Sequence, residues 1–181
     1  SIDLNSMAVV ANLSVEVETD HQRRAILREI NLMSDLKGRG HTLEVLNWGE
    51  YSGNRNHKRV SKVCLQTELF DGDLGDISAA HWTEIPLIRL ALIQAQSVRW
   101  LHHKGYIHRD IKPRNFFYAK NGLGIRLVLA DFGLAVSSKK SGYGSGIAGT
   151  RDFMAPEACA SYVAYQTSCS SREHCMKMDI F

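Results

Sequence analysis

"HRDIKPRN", residues His108 to Asn115, decides how the rest of the chain is read. It follows an apolar run with helical spacing and precedes "FFY". An acid (Asp110), a lysine (Lys112) and an asparagine (Asn115) follow one another closely, and Pro113 keeps the segment from winding into a helix. Alone, such a loop is ordinary solvated surface. Its meaning depends on what accompanies it.

The chain has 181 residues, 44% hydrophobic and 23% charged, an ordinary globular composition with material for one or two small cores. A net charge of +3, with the basic residues scattered, gives no reason to expect nucleic acid or an anionic membrane as a partner. No apolar stretch approaches the roughly 20 residues that cross a bilayer. The longest, "IPLIRLALIQAQ", is interrupted by Arg89 and Gln94, and the start shows no signal-peptide pattern. Cys64, Cys159, Cys169 and Cys175 lack the spacing of a disulfide framework, so a cytoplasmic or nuclear setting is expected. Cys169, His174 and Cys175 are close in sequence, but a metal site there would want a fourth ligand and a tighter pair.

Residues 7–17 read as strand, with "SVEVE" alternating. Thr19 and Gln22 form a capping-box signature, Ile26, Ile30 and Met33 share one helical face, and Gly38 is a stop. "TLEVLNW" and "KVCLQTELF" are further strands, with "YSGNRNHKR" as the loop between them. "LFDGDLGD" is a Gly/Asp-rich bend between a strand-rich first part and a helix-rich second part. Pro86 opens a long helix with Ile88, Leu92, Ala95, Val98 and Leu101 or His102 along one side, ended by Gly105. "IRLVLADFG" is a buried strand running into a turn, and "SSKKSGYGSGIAG" is a Ser/Gly-rich loop. There is no internal repeat.

"HRDIKPRN" (108–115), "DFG" (131–133) and "APE" (155–157) occur in that order at specific separations. Each is weak alone; together they are very specific, and the chain resembles the eukaryotic protein kinases from Glu29 to Asp179. The resemblance implies an α+β, two-lobed fold truncated at both ends. A partial β-rich small lobe would span 1–70 and a partial, mainly α-helical large lobe 71–181. It implies ATP and Mg2+ as cofactors, a protein substrate, and room for a regulatory subunit. "ILREINLM" is close in wording to the cyclin-dependent branch. "GTRDFMAPE" and the stretch around Asn115 loosely resemble the cell-division-cycle-seven branch.

Phosphoryl transfer needs an in-line nucleophile and neutralised phosphate charge more than covalent help. By resemblance, Asp110 accepts or orients the acceptor hydroxyl's proton, Lys112 faces the transferring phosphate, and Asn115 and Asp131 offer magnesium the oxygen ligands a hard ion takes. Lys112 and Thr150 follow the serine/threonine pattern, with Thr150 contacting both Asp110 and Lys112. Glu29 matches the regulatory glutamate of the small-lobe helix. Met33, His108 and Phe132 would form an apolar column between the lobes. Thr67 falls where the gatekeeper sits, Glu68, Leu69 and Phe70 form the hinge, and Ala8 and Phe117 flank the adenine. Arg109 would receive a phosphate placed on one of Ser137, Ser138, Ser141, Tyr143 or Ser145.

Two expected elements are missing. No glycine precedes Gly38 and no lysine precedes Lys37. By register Val10 stands where the lysine that pairs with Glu29 is expected, and an arginine such as Arg23 or Arg24 on the helix itself cannot stand in for it. Serine/threonine kinase is therefore the expectation, with a scaffold of impaired ATP binding as the alternative. A small-molecule kinase is disfavoured, because "GTRDFMAPE" is a peptide-seating segment.

Overall fold

A computed structural model describes residues 9–55, 58–77, 87–121, 124–138, 148–156, 176 and 179. The first strand, β1 (Val10–Val17), pairs antiparallel with β3 (Lys58–Glu68), which pairs on its other side with β2 (Val45–Arg55). Between β1 and β2 lies α1 (Asp20–Asp35). Its start is fixed locally: Gln22 N–H donates to Thr19 Oγ1 at 3.2 Å, and Gln22 Oε1 accepts from Thr19 N–H at 3.1 Å. That reciprocal pair satisfies donors the first turn would otherwise leave orphaned. Ile30, Leu32, Met33 and the C-cap Leu36 are buried.

The polar stretch "YSGNRNHKR" is mostly strand rather than loop: β2 continues to Arg55 and β3 begins at Lys58. Cross-strand pairing overrides composition on this ribbon. Ser52 Oγ and Ser61 Oγ lie 3.2 Å apart, and the Tyr51 ring covers Gly53 so closely that a Cβ there would meet Tyr51 Oη at 2.5 Å.

The chain then passes through β4 (Gly72–Asp73) to α2 (Leu87–His103). Next come β5 (Tyr106–Ile107), a 3-10 turn at Pro113–Asn115, β6 (Phe116–Asn121), β7 (Gly124–Leu129) and β8 (Val136–Ser137). β4, β6 and β7 form a second small sheet, and β5 pairs with β8. α2 ends as expected, with Gly105 at φ 85. Its inward face matches the expected one at Val98 and Leu101, which are buried, and departs from it earlier in the helix, where Ile88 is 78% and Leu92 58% exposed, Ala95 is exposed, and Leu90 and Ser97 are buried instead. The helix is apolar on two sides, so spacing alone could not choose between them. Ser97 is tolerated inside because its hydroxyl donates to Ile93 O at 3.1 Å.

One core joins Met33 and Leu36 of α1, Leu90, Val98 and Leu101 of α2, and Leu127, Val128, Leu129 and Phe132. The connection after α1 also runs beside β7. Thr42 bridges Leu129 in parallel, Leu43 N–H donates to Leu129 O at 2.8 Å, and Leu129 N–H donates to His41 O at 2.9 Å. This ladder brings the end of α1 to the strand that leads into Asp131. No described helix is long and apolar enough to cross a membrane.

Candidate active site

The loop after β5 is held from behind by a buried carboxylate. Asp179 accepts from His108 N–H at 2.7 Å and from Arg109 N–H at 2.6 Å, and His102 Nε2 lies 2.8 Å from the same carboxylate. Arg109 has φ 69, a left-handed conformation costly for a residue with a Cβ. The two adjacent amides aimed at one carboxylate hold it there. The His108 ring is buried among these groups. Its Nε2 lies 3.0 Å from Ala130 O and its Nδ1 3.3 Å from Asp110 N–H. Donation from Nε2 and acceptance at Nδ1 satisfy both as a neutral imidazole. Burial pushes the ring's pKa down, against the pull of Asp179.

Asp110, Lys112, Asn115 and Thr150 meet at one point. Lys112 Nζ donates to Asp110 Oδ2 at 2.6 Å and to Thr150 Oγ1 at 2.8 Å. Thr150 donates both its N–H and its hydroxyl to Asp110 Oδ1, each at 2.7 Å. Burial alone would raise the Asp110 pKa. The bonds from Lys112 and Thr150 outweigh it and hold the carboxyl below its ordinary range, so it is ionised at neutral pH. Asn115 Nδ2 donates to Asp110 O at 2.8 Å and to Asp110 Oδ2 at 3.2 Å.

Those bonds engage the amide nitrogen of Asn115 and leave its Oδ1 for an incoming ligand. Asp131, at φ 60, is exposed. A Cβ on Gly133 would stand 3.4 Å from Asp131 Oδ1 and 3.8 Å from Glu29 Oε2, ordinary contact distances that place both carboxylates beside this residue. Asn115 Oδ1 and the Asp131 carboxylate are hard oxygen donors of the kind Mg2+ takes while retaining water and phosphate oxygens. The residues present therefore fit a divalent ion. Among the described residues no group of three or more His, Cys, Asp or Glu side chains forms a protein-only metal cage.

Glu29 reaches this region from α1 and accepts from Phe132 N–H at 3.1 Å. Burial raises its pKa, and the Asp131 carboxylate raises it further. Among the described residues it has no cationic partner. Arg23 points elsewhere, pairing with Glu50 of β2 at 2.7 Å. Val10 opposes Glu68 across the β1–β3 ladder, and strand alternation puts it on the face away from Thr67. Ala11, Leu13 and Val15 share Thr67's face, and none of the eight residues of β1 carries a positive charge. Met33 and Phe132 belong to one core cluster, and the His108 and Phe132 rings meet edge-on with centroids 5.3 Å apart.

Thr67, Glu68, Leu69 and Phe70 leave β3 toward the second sheet. Thr67 is buried and its hydroxyl donates to Glu68 O at 3.2 Å. Leu69 is exposed, and the Phe70 ring lies 6.1 Å from that of Phe117. Arg126 of β7 pairs with the Glu68 carboxylate and covers Phe70, 5.0 Å from its centroid. Sequence reasoning gave Arg126 no role, because nothing local marks a strand arginine as a hinge contact. It also passed over Gly149, which has φ 118 and whose Cβ would meet Arg109 O at 2.5 Å. Only glycine lets the chain pass that close while delivering Thr150 to Asp110.

Arg109 Nε donates to Leu134 O at 2.8 Å, toward the segment after "DFG". Ser138, one of the proposed phosphate carriers, is buried. Its Oγ donates to Gly105 O at 2.8 Å, so this hydroxyl is closed to modification in the conformation described. Ala8, Ser141, Tyr143, Ser145, Glu157 and the group at Cys169, His174 and Cys175 lie outside the described residues.

The chain matches the family described as "Protein kinase domain" over residues 2–180. It is 33% identical over 132 residues to Calcium-dependent protein kinase 10 of Arabidopsis thaliana, covering 73% of this chain and 23% of that protein. Calcium-dependent protein kinase 2 of Zea mays is 33% identical over 135 residues, 75% of this chain and 25% of that protein. Calcium-dependent protein kinase 21 of Arabidopsis thaliana is 28% identical over 153 residues, 84% of this chain and 28% of that protein. The chain spans about a quarter of the length of these curated relatives.

Proposed function

Since this chain belongs to the protein kinase family, we propose that the protein transfers the terminal phosphoryl group of ATP to serine or threonine hydroxyls of proteins. One observation carries the reading. An ionised Asp110, the Lys112 ammonium and Thr150 are bonded to one another at 2.6–2.8 Å, beside Asn115.

Asp110 accepts the proton of the acceptor hydroxyl and orients its oxygen. Lys112 sets a positive charge at the place where phosphate charge develops, and Thr150 fixes the carboxylate rotamer and seats the acceptor segment. Asn115 and Asp131 would hold the divalent ion, which when bound would neutralise phosphate charge and orient the nucleotide. Thr67 to Phe70 and Phe117 form the side where adenine would lie. Lys112 and Thr150 favour a serine or threonine acceptor over tyrosine.

A second reading has its own observation: among the described residues Glu29 has no cationic partner, and β1 offers none. On that reading the fold serves as a nucleotide-independent scaffold. A thermal shift with Mg-ATP, run beside phosphate transfer to a degenerate Ser/Thr peptide library, separates the two. Binding plus transfer that Asp110→Asn abolishes supports the kinase. A folded protein with neither shift nor transfer overturns it.

A further inference from the structure

Four side chains outside the Asp110 cluster gather around the indole of Trp100 near the end of α2. Lys104 Nζ lies 4.6 Å and Arg39 Cζ 5.5 Å from the ring centroid. The His41 ring is 5.9 Å away, and His103 stacks at 6.4 Å with an interplanar angle of 28°. Arg39 and His41 come from the connection after α1, the other two from the end of α2. Attraction to the indole face holds both cations in place.

Arg39 and Lys104 are exposed, and their charges meet over the indole rather than on a carboxylate. Among the described residues, no ion pair with a carboxylate joins Arg39 or Lys104. The two acids nearest Arg39 in the chain accept from neutral donors and not from the cations. Glu44 Oε1 accepts from Gly38 N–H at 2.9 Å, and Asp35 Oδ2 accepts from Tyr106 Oη at 2.9 Å. Lys37 adds another exposed cation to the same connection.

We propose that Arg39, His41, Trp100, His103 and Lys104 form a docking surface for a phosphorylated segment of a partner protein. The charges converge on one ring, which suits a single compact dianion better than a row of carboxylates. Arg39 supplies a planar fork for phosphate oxygens and Lys104 a point charge. Nucleic acid fits less well. The ring is already covered by cations and two imidazoles, so it is not offered for base stacking. A lipid surface fits less well too, because none of the exposed large apolar residues described belongs to this corner.

Occupancy would be felt at the catalytic loop's neighbour. His41 O and Leu43 N–H are bonded to Leu129, just ahead of Asp131. An anion tying Arg39 to Lys104 would clamp that connection against α2.

The experiment uses the full-length protein and a degenerate phosphoserine/phosphothreonine peptide library, with the unphosphorylated library, single-stranded RNA and phosphatidylserine vesicles as parallel probes. Enrichment of phosphopeptides is expected. Arg39→Gln with Lys104→Gln should weaken it by about a hundredfold, roughly tenfold for each charge-assisted contact. Both sites are exposed, so circular dichroism and melting should match the parent. Equal capture of the two libraries, capture of RNA or vesicles alone, or phosphopeptide binding unchanged in the double variant would each overturn the proposal. None of these outcomes depends on phosphoryl transfer.

Discussion

Replacing Asp179 tests whether one buried carboxylate shapes the catalytic loop. Its side chain is fully buried and accepts two adjacent amide protons at 2.6 and 2.7 Å. Hydrogen bonds to a charged group are worth about 1.5–3 kcal/mol each. Asp179→Ala abandons both, so it should cost about 3–6 kcal/mol. Asp179→Asn keeps the shape but turns an NH2 toward one of the two amides, so it should cost about 1.5–3 kcal/mol. The loss also frees Arg109 from a left-handed conformation that itself stores about 1–3 kcal/mol. The backbone will relax there, and Asp110, the next residue, will leave its alignment with Thr150. Urea unfolding gives the stability change, and steady-state transfer to a peptide gives kcat and KM. The expected result for the asparagine variant is a modest loss of stability with a far larger loss of kcat. If it matches the parent in both, the carboxylate does not hold the loop and the argument fails; this variant remains informative should the alanine variant not fold.

Three more outcomes can be checked. Glu29 has a folded pKa above its unfolded value, so the folded state binds its proton more tightly, and stability declines as pH rises from the ordinary glutamate range through the raised value. Glu29→Gln should remove that decline and stabilise the free protein at neutral pH, read from unfolding midpoints across pH 4–7. Thr150→Val removes a hydroxyl that lowers the Asp110 pKa, so a carboxyl 13C titration should show the Asp110 pKa moving up and the acid limb of the rate profile moving with it. Gly149→Ala forces a Cβ to 2.5 Å from Arg109 O at φ 118, so it should destabilise by roughly 1–3 kcal/mol and weaken peptide transfer more than nucleotide binding. Unchanged melting in that variant would show that the segment passes Arg109 with room to spare.

The sequence displayed the catalytic loop because its chemistry is short-range. Asp110, Lys112 and Asn115 sit within one turn of chain, and Pro113 limits what that chain can do. The start of α1 was legible for the same reason, since Thr19 and Gln22 satisfy each other locally. The inward face of α2 was legible only in its second half, at Val98 and Leu101; in the first half Leu92 and Leu90 are equally apolar and only the second sheet decides between them. The long β2–β3 ribbon was hidden by its polar composition. Arg126 against Glu68 and Phe70, and the corner around Trp100, join residues far apart in the chain, so no window of sequence contains them. The absent cation was visible in the sequence; that Val10 faces away from Thr67 required the strand register.

The ladder between Thr42, Leu43 and Leu129 makes α1 a lever with its fulcrum in the other half of the molecule. Its far end is tied to β2 by the solvent-exposed Arg23–Glu50 contact, a weak restraint because water and salt screen it. Glu29 stands six residues from Asp35, about 9 Å along an axis of about 24 Å. A swing of the Asp20 end is therefore geared down to roughly four-tenths of its size by the time it reaches Glu29. Whatever grips the outer end thus has mechanical advantage over the carboxylate that meets Phe132, and little force is needed there to engage or withdraw it.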